Sequence, residues 1–176
     1  PNSVTIVGNS AFSGCSKLVS VIISNSVTSI SDDMFYNCTS LESISIPSSV
    51  TEIERRAFSG CASLKNVYYL PSSITRIEEG AFSGCSSLIN AIIPSGITTI
   101  YAYTFSNCTS LTNVVIPTNI TSIAAGAFKG CAGLTSITIG ENVTRIGGDA
   151  FSNCTALSEI NFNARAMENL ISYDGR

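Results

Sequence analysis

A seven-residue pattern, Phe-x-x-Cys-x-x-Leu, recurs seven times in this chain at nearly constant spacing. Its cysteines are Cys15, Cys38, Cys61, Cys85, Cys108, Cys131 and Cys154. Consecutive cysteines are 23 residues apart, except for one step of 24 residues between Cys61 and Cys85. A period of this length is typical of a solenoid, in which each repeat forms one coil and buries its apolar side against the neighbouring coils. The pattern therefore predicts one elongated array of coils.

The repeat also predicts how the chain is divided. We expect residues 1–162 to form a solenoid of about seven coils. The pattern fades after that point, so residues 163–176 are expected to be an irregular C-terminal end or the start of a divergent repeat. The chain begins at Pro1 in the middle of a repeat and without Met, and we interpret it as a piece of a longer protein.

Composition narrows the classes of partner. Apolar residues make up 44% of the chain, whereas charged residues make up only 12%, about half the usual share. The net charge is −3, and the nine Lys and Arg residues are scattered, so we expect no nucleic-acid partner. No apolar run reaches the 18 or so residues that a membrane span needs, so we expect no span in this fragment.

Each repeat contains a stretch in which apolar and polar residues alternate. Two apolar residues follow each Leu at three and five positions, as in Ile44 and Ile46 or Ile137 and Ile139. This period of two predicts a β-strand. Because only one such strand fits in a repeat, equivalent strands are expected to pair in parallel and to form one sheet face. A Val/Ile-Thr-x-Ile/Val segment follows and predicts a second short extended segment, whose recurring Thr is interpreted as a stacked structural column.

The third part of each repeat precedes Phe and is expected to form a single helical turn, for example Asp32 to Phe35. The residue before each Cys is always Gly or Asn: Gly14, Asn37, Gly60, Gly84, Asn107, Gly130 and Asn153. These two residue types tolerate a left-handed backbone best. We therefore predict a positive φ at all seven positions.

The Cys-x-x-Leu-x-x-Ile-x-Ile-Pro and Ile-x-x-x-Ala-Phe elements resemble those of the BspA-like, or treponemal-type, leucine-rich repeat family. The resemblance covers roughly residues 1–162. It implies a right-handed solenoid with one parallel sheet face, in proteins that are secreted or exposed on the surface of bacteria and some protists. It also implies a role in adhesion to host proteins or other cells, and it supplies no catalytic residues.

The cysteine column has several possible roles. Stacked coils would lie about 4.8 Å apart, which falls within the Cα range of a disulfide. However, in-register side chains point in the same direction, the number of cysteines is odd, and each Cys lies between Phe and Leu at core spacing. We therefore interpret the column as buried thiols that fill the core. The chain has no His and no Cys-x-x-Cys, so neither a metal nor a cofactor is expected.

The sequence gives little support for catalysis. General acid–base chemistry most often uses His, which is absent. Two carboxylate pairs occur, Asp32 with Asp33 and Glu78 with Glu79, and we interpret them as solvated residues at the start of the helical turns. We expect no enzymatic activity.

A partner is expected on the outward positions of the sheet face. Most outward residues are Ser, Asn or Thr, but four are apolar or aromatic. Tyr68, Ile92 and Val115 fall on consecutive coils and are predicted to form one exposed strip, which is typical of a contact site. The 24-residue repeat adds one residue near Tyr69, where a bulge would re-aim side chains or have no role. The candidate partner-binding residues are Ile22, Asn66, Tyr68, Tyr69, Asn90, Ile92, Asn113 and Val115.

These observations predict an extracellular or cell-surface binding module that acts in adhesion. Its expected ligand is a protein, either of the host matrix or of another cell surface, and the chain is expected to be a monomer. Two alternatives stay open. The solenoid could be a structural spacer in a larger surface protein, or it could bind carbohydrate through the aromatic rings of Tyr68 and Tyr69.

Overall fold

The structure is a computed structural model that describes residues 2–66 and 70–163. Its regular elements are twelve short β-strands in two sets, and every pair of strands is parallel. The first set comprises β1 (Ser20–Ile22), β3 (Ser43–Ser45), β6 (Asn90–Ile92), β8 (Asn113–Val115), β10 (Ser136–Ile139) and β12 (Glu159–Phe162). The second comprises β2 (Ser29–Ile30), β4 (Glu52–Ile53), β5 (Arg76–Ile77), β7 (Thr99–Ile100), β9 (Ser122–Ile123) and β11 (Arg145–Ile146). This confirms a solenoid of parallel strands, with the predicted second extended segment.

Strand pairing follows the repeat period. In the first set, β1 pairs with β3, β6 with β8, and β10 with β12. In the second set the orders are β2-β4-β5 and β7-β9-β11. The Thr residues between the two sets also stack in register, as when the N–H of Thr144 donates to the carbonyl oxygen of Thr121 at 2.9 Å. Successive coils therefore lie in register, and residues one period apart occupy equivalent positions.

The predicted helical turn before each Phe is wrong, because the described residues contain no helix. The N–H of Met34 donates to the carbonyl oxygen of Ser31 at 3.1 Å, which closes a β-turn. The N–H of Phe35 instead donates to Ala57 of the next coil at 2.8 Å. A helix would have bound these N–H groups four residues back within the same coil. The segment therefore consists of consecutive β-turns that also bond to the neighbouring coil.

The predicted left-handed column is confirmed. All seven Gly or Asn residues before Cys have a φ between 56° and 76°. A second left-handed column, which the sequence did not predict, lies four residues earlier, with φ between 52° and 64°. Its members are Ser10, Asp33, Arg56, Gly80, Tyr103, Gly126 and Asp149. Type II turns require a positive φ at their third residue, so two left-handed residues in each coil allow the turns to follow one another.

The left-handed column leads to a stability prediction. Replacing Asn107, whose φ is 59°, with Ala should lower the free energy of unfolding by about 1 to 2 kcal/mol, because Ala keeps the Cβ that crowds the carbonyl oxygen in this conformation but lacks the short polar side chain that lets Asn adopt it. Asn107→Gly should change stability less. Asn113→Ala, at an exposed strand position, is the matched control. Urea denaturation measures all three, and equal losses for Asn107→Ala and Asn113→Ala would contradict the prediction.

The core is a stack of repeated side chains. Seven Phe rings stack from Phe12 to Phe151 with centroid distances of 5.3 to 5.6 Å and interplanar angles of 4° to 9°. Six of the seven cysteines are buried, and each Sγ donates to the carbonyl oxygen of a Phe in the preceding coil at 3.1 to 3.2 Å. The interpretation of the cysteines as core residues is thus confirmed for these six. Cys15 is exposed at the N-terminal end of the stack.

Candidate binding face

The outward side chains of the first strand set form the face where a partner was predicted. Asn66 forms a parallel bridge with Asn90, and Asn90 is the register partner of Asn113. These three predicted residues therefore lie in one row across consecutive coils. In the neighbouring row, Ile92 is the register partner of Val115. The structure thus brings five of the eight predicted residues together.

The aliphatic pair of Ile92 and Val115 is accessible to solvent. Ile92 is 48% exposed and Val115 is 53% exposed, although both belong to paired strands. The strand alternation explains this exposure, because Ala91 and Ile93 point inward and are buried. The two aliphatic side chains lie next to each other on the paired strands β6 and β8. They therefore form a fixed apolar surface that needs no rearrangement of the backbone.

The structure separates Ile22 from this pair. Ile22 is 88% exposed, but its register partner is Ser45. It lines a hollow of about 340 Å³ at the N-terminal end of the stack, together with Val4, Val7 and Phe12. Ile22 therefore belongs to the end of the solenoid and does not extend the Ile92–Val115 surface.

Two predicted residues, Tyr68 and Tyr69, lie outside the described residues, and so does most of the predicted bulge. The predicted strip of Tyr68, Ile92 and Val115 is accordingly described only for its last two members. The exposed apolar residues Val19 and Ile89 were not predicted. Each comes directly before its strand, where the sequence pattern assigned no outward position.

The predicted face has little charge. Lys65 and Glu42 form an exposed ion pair at 2.8 Å directly before the first outward row. The Oδ1 atom of Asn66 is buried and has no hydrogen-bond partner among the described residues. Asn113 is exposed and offers a neutral hydrogen-bonding group beside the aliphatic pair. Such a surface suits a ligand that combines apolar and neutral polar groups.

The buried thiols do not provide reactive chemistry. Burial raises the pKa of Cys61 and Cys131 to about 12 and raises the pKa of Cys85 and Cys108 well above the ordinary value. A thiol nucleophile must ionise, so these groups are unreactive near neutral pH. Within residues 2–66 and 70–163, no group of three or more Cys, Asp and Glu side chains is arranged to hold a metal ion.

The two carboxylate pairs lie in β-turns or next to them, and each includes a residue that forms an ion pair. Asp33 binds Arg56 at 2.7 Å, and Glu78 binds Arg76 at 2.8 Å. Their expected position at the start of a helical turn is wrong, because this part of the repeat is not helical. Among the described residues, no helix has the length and apolarity that a membrane span requires.

Comparison with known proteins gives a consistent result. A family model described as "BspA type Leucine rich repeat region (6 copies)" matches residues 1–69 and 68–172. A leucine-rich cell surface protein from Faecalibacterium prausnitzii is 42% identical, with a TM-score of 0.81 over 89% of this chain and 42% of its own length. A leucine-rich repeat protein from Bacteroides ovatus is 36% identical, with a TM-score of 0.86 over 90% of this chain and 41% of its own. A leucine-rich repeat protein of T. pallidum is 28% identical, with a TM-score of 0.78 over 97% of this chain and 77% of its own.

No curated protein matches the chain. The chain spans about two fifths of the length of the F. prausnitzii and B. ovatus structures. The family match extends over nearly the whole sequence, and the coils and the Phe-Cys core are repeated throughout residues 2–66 and 70–163. The chain belongs to the BspA-type leucine-rich repeat family.

Proposed function

We propose that this chain is a protein-binding module of a cell-surface or secreted protein, and that it acts in adhesion through its sheet face. The observation that carries the proposal is the exposed pair of Ile92 and Val115 beside the row of Asn66, Asn90 and Asn113. The fold and the family favour a binding role, and one relative is described as a cell surface protein.

A partner can cover the Ile92–Val115 surface at a low entropic cost. Both aliphatic side chains stand on paired strands, so a partner can cover them without ordering a loop. Burial of apolar surface contributes roughly 25 cal/mol per Å². The neighbouring exposed side chain of Asn113 can then orient the partner through hydrogen bonds. We propose no catalytic role for this face.

A double substitution tests the proposed surface. Ile92→Ser with Val115→Ser should weaken binding to a protein partner by at least about tenfold, because the variant removes the apolar centre of the contact. The partner would first be identified by surface plasmon resonance against purified host matrix proteins, and the same method would then compare the variants. The two side chains are exposed, so circular dichroism should show an unchanged fold.

Tyr101→Ser is the matched control, because Tyr101 is also exposed but lies in the turn segment away from the sheet face. Equal affinity of the double variant and the original chain would exclude the Ile92–Val115 surface. The spacer alternative would be favoured if no matrix protein binds and if the chain tolerates deletion of a whole coil. Binding on a glycan array alone would favour the carbohydrate alternative.

A further inference from the structure

The sheet face is interrupted between β8 and β10. One residue of each coil lies directly before the strand of the first set. Five of these residues donate a hydrogen bond from the backbone N–H to a backbone carbonyl oxygen of the preceding coil: Glu42, Lys65, Ile89, Thr112 and Ser158. These N–O distances range from 2.9 to 3.5 Å. Thr135 is the exception among the described residues of this column, since its N–H makes no backbone hydrogen bond to Thr112. No strand pairing joins β8 to β10 either, although both strands are fully described.

The interruption is confined to this face. The Phe105 and Phe128 rings of the same two coils stack at 5.6 Å, and Cys131 Sγ donates to the Phe105 carbonyl oxygen at 3.1 Å. On the far side of the strands, β9 and β11 are paired. The two coils are therefore held together on both sides of an opening in the sheet.

The opening is a cleft of about 380 Å³ between the two strands. Inward-pointing residues Val114, Ile116 and Ile137 line it together with outward-pointing ones, so the cleft reaches toward the core. Val114 and Ile116 are only partly buried, whereas Ala91 and Ile93, one period earlier in the sequence, are buried. The floor of the cleft is therefore apolar.

The walls specify the chemistry of an occupant. The lining side chains are Thr, Asn, Val, Ile and Ser, with no charged residue. Glu159, the exposed register partner of Ser136, is a charged group on the next strand and would repel an acidic ligand. The main-chain edges of β8 and β10 present N–H and C=O groups that no strand satisfies. An extended polypeptide satisfies such groups by adding main-chain hydrogen bonds, as in strand addition.

We infer that the cleft between β8 and β10 binds an extended, neutral or basic peptide segment with alternating aliphatic side chains. The aliphatic side chains would contact Val114 and Ile116, while the peptide backbone would pair with the open strand edges. This inference rests on the proposed function, because it specifies the kind of partner segment that the sheet face takes. The cleft shares Asn113 and Val115 with the proposed binding face but does not include Ile92, so the two proposals can fail separately.

The probe is the peptide acetyl-Lys-Thr-Val-Thr-Val-Thr-Lys-amide, added to isotope-labelled chain and followed by NMR amide exchange. Without peptide, the Thr135 amide should exchange at least about tenfold faster than the amides of Thr112 and Ser158, which donate hydrogen bonds. The peptide should slow Thr135 exchange and shift signals of β8 and β10. Equal protection of all three amides in the free chain would overturn the inference, since the sheet would then be closed.

Peptide and protein controls separate strand addition from nonspecific attachment. A peptide with Pro in place of the central Thr lacks one backbone N–H and should bind at least about tenfold more weakly, and so should a peptide with Glu at both ends. Ser136→Tyr should obstruct the cleft and reduce binding by a similar factor. Ser43→Tyr is the matched control, because Ser43 is an exposed strand residue on the paired β1–β3 ladder.

Three further results would overturn the inference. They are the absence of binding by the original chain, unchanged binding by Ser136→Tyr, and signal changes confined to residues away from the cleft. The single variant Ile92→Ser distinguishes this failure from failure of the proposed function, because Ile92 does not line the cleft. Loss of affinity for a matrix protein in that variant, with no peptide bound at the cleft, would retain the binding face and exclude the cleft.

Discussion

Raising the pH from about 9 to 11 should unfold this chain, because its core contains thiols that keep their protons only while they are buried. The ordinary pKa is 9.0, and burial raises the pKa of Cys61 and Cys131 to about 12 and that of Cys85 and Cys108 well above 9.0. Between these values the unfolded chain releases thiol protons that the folded chain retains. The stability contributed by the neutral thiols is therefore complete below pH 9 and is lost as the pH rises.

The expected magnitude is large. Each thiol lowers the free energy of unfolding by about 1.4 kcal/mol for each pH unit above its unfolded pKa. Four such thiols together give about 5 to 6 kcal/mol at a pH near 10, which is comparable with the whole stability of a typical domain, about 5 to 15 kcal/mol. Urea titrations monitored by circular dichroism at several pH values would measure the slope of stability against pH.

Two single substitutions provide the control. Cys108→Ala should reduce the slope above pH 9 by up to about one quarter, whatever it costs in packing at neutral pH, because it removes one of the four most strongly shifted thiols while burial also raises the pKa of Cys38 and Cys154. Cys15→Ala should leave the slope unchanged, since Cys15 is exposed. Identical slopes for the original chain and Cys108→Ala would show that the buried thiols do not control the alkaline transition.

The sequence was most informative where one residue type is required in every coil. The Gly or Asn before each Cys predicted a left-handed backbone, because few other residues adopt that conformation without cost. The alternating pairs such as Ile137 and Ile139 predicted buried strand positions in the same way. Repetition strengthened both predictions, since seven copies of a weak local signal occur in register.

The turn segment was predicted incorrectly because its second left-handed column uses ordinary residues. Arg56 and Tyr103 have φ values of 52° and 55°, although neither residue type favours that conformation. Bonds between coils hold them there, as when the N–H of Tyr103 donates to the carbonyl oxygen of Ala125 at 3.1 Å. A local reading of the sequence cannot include such a bond, because its acceptor belongs to the next coil.

The candidate site was predictable only in part for a similar reason. Outward positions such as Ile92 and Val115 follow from alternation within one repeat. The cleft between β8 and β10 depends on how two coils stack. Thr135 occupies the same repeat position as Thr112 and is the same type of residue, yet only Thr112 donates its N–H to the preceding coil. Identical residues at equivalent positions thus make different hydrogen bonds, which no periodic pattern distinguishes.

Replacing Phe82 with Ala should destabilise the chain by about 3 to 5 kcal/mol, the usual cost of removing a buried ring. Phe82 is fully buried in the middle of the stack, with Phe58 at 5.3 Å on one side and Phe105 at 5.6 Å on the other. Each offset stacked pair contributes about 0.5 to 1.5 kcal/mol beyond burial, so this variant loses two such contacts as well as filled volume. Urea denaturation followed by circular dichroism would measure the loss.

The matched control is Phe12→Ala at the N-terminal end of the same stack. Phe12 is 41% exposed and stacks on one side only, against Phe35 at 5.5 Å. Its replacement should cost less than half as much, because less area is uncovered and one ring contact is lost. In a solenoid, stability is the sum of coil and interface terms, so the position of a residue along the stack decides its effect. Equal losses at Phe82 and Phe12 would contradict this, and would mean that contacts between coils contribute little beyond each coil's own folding.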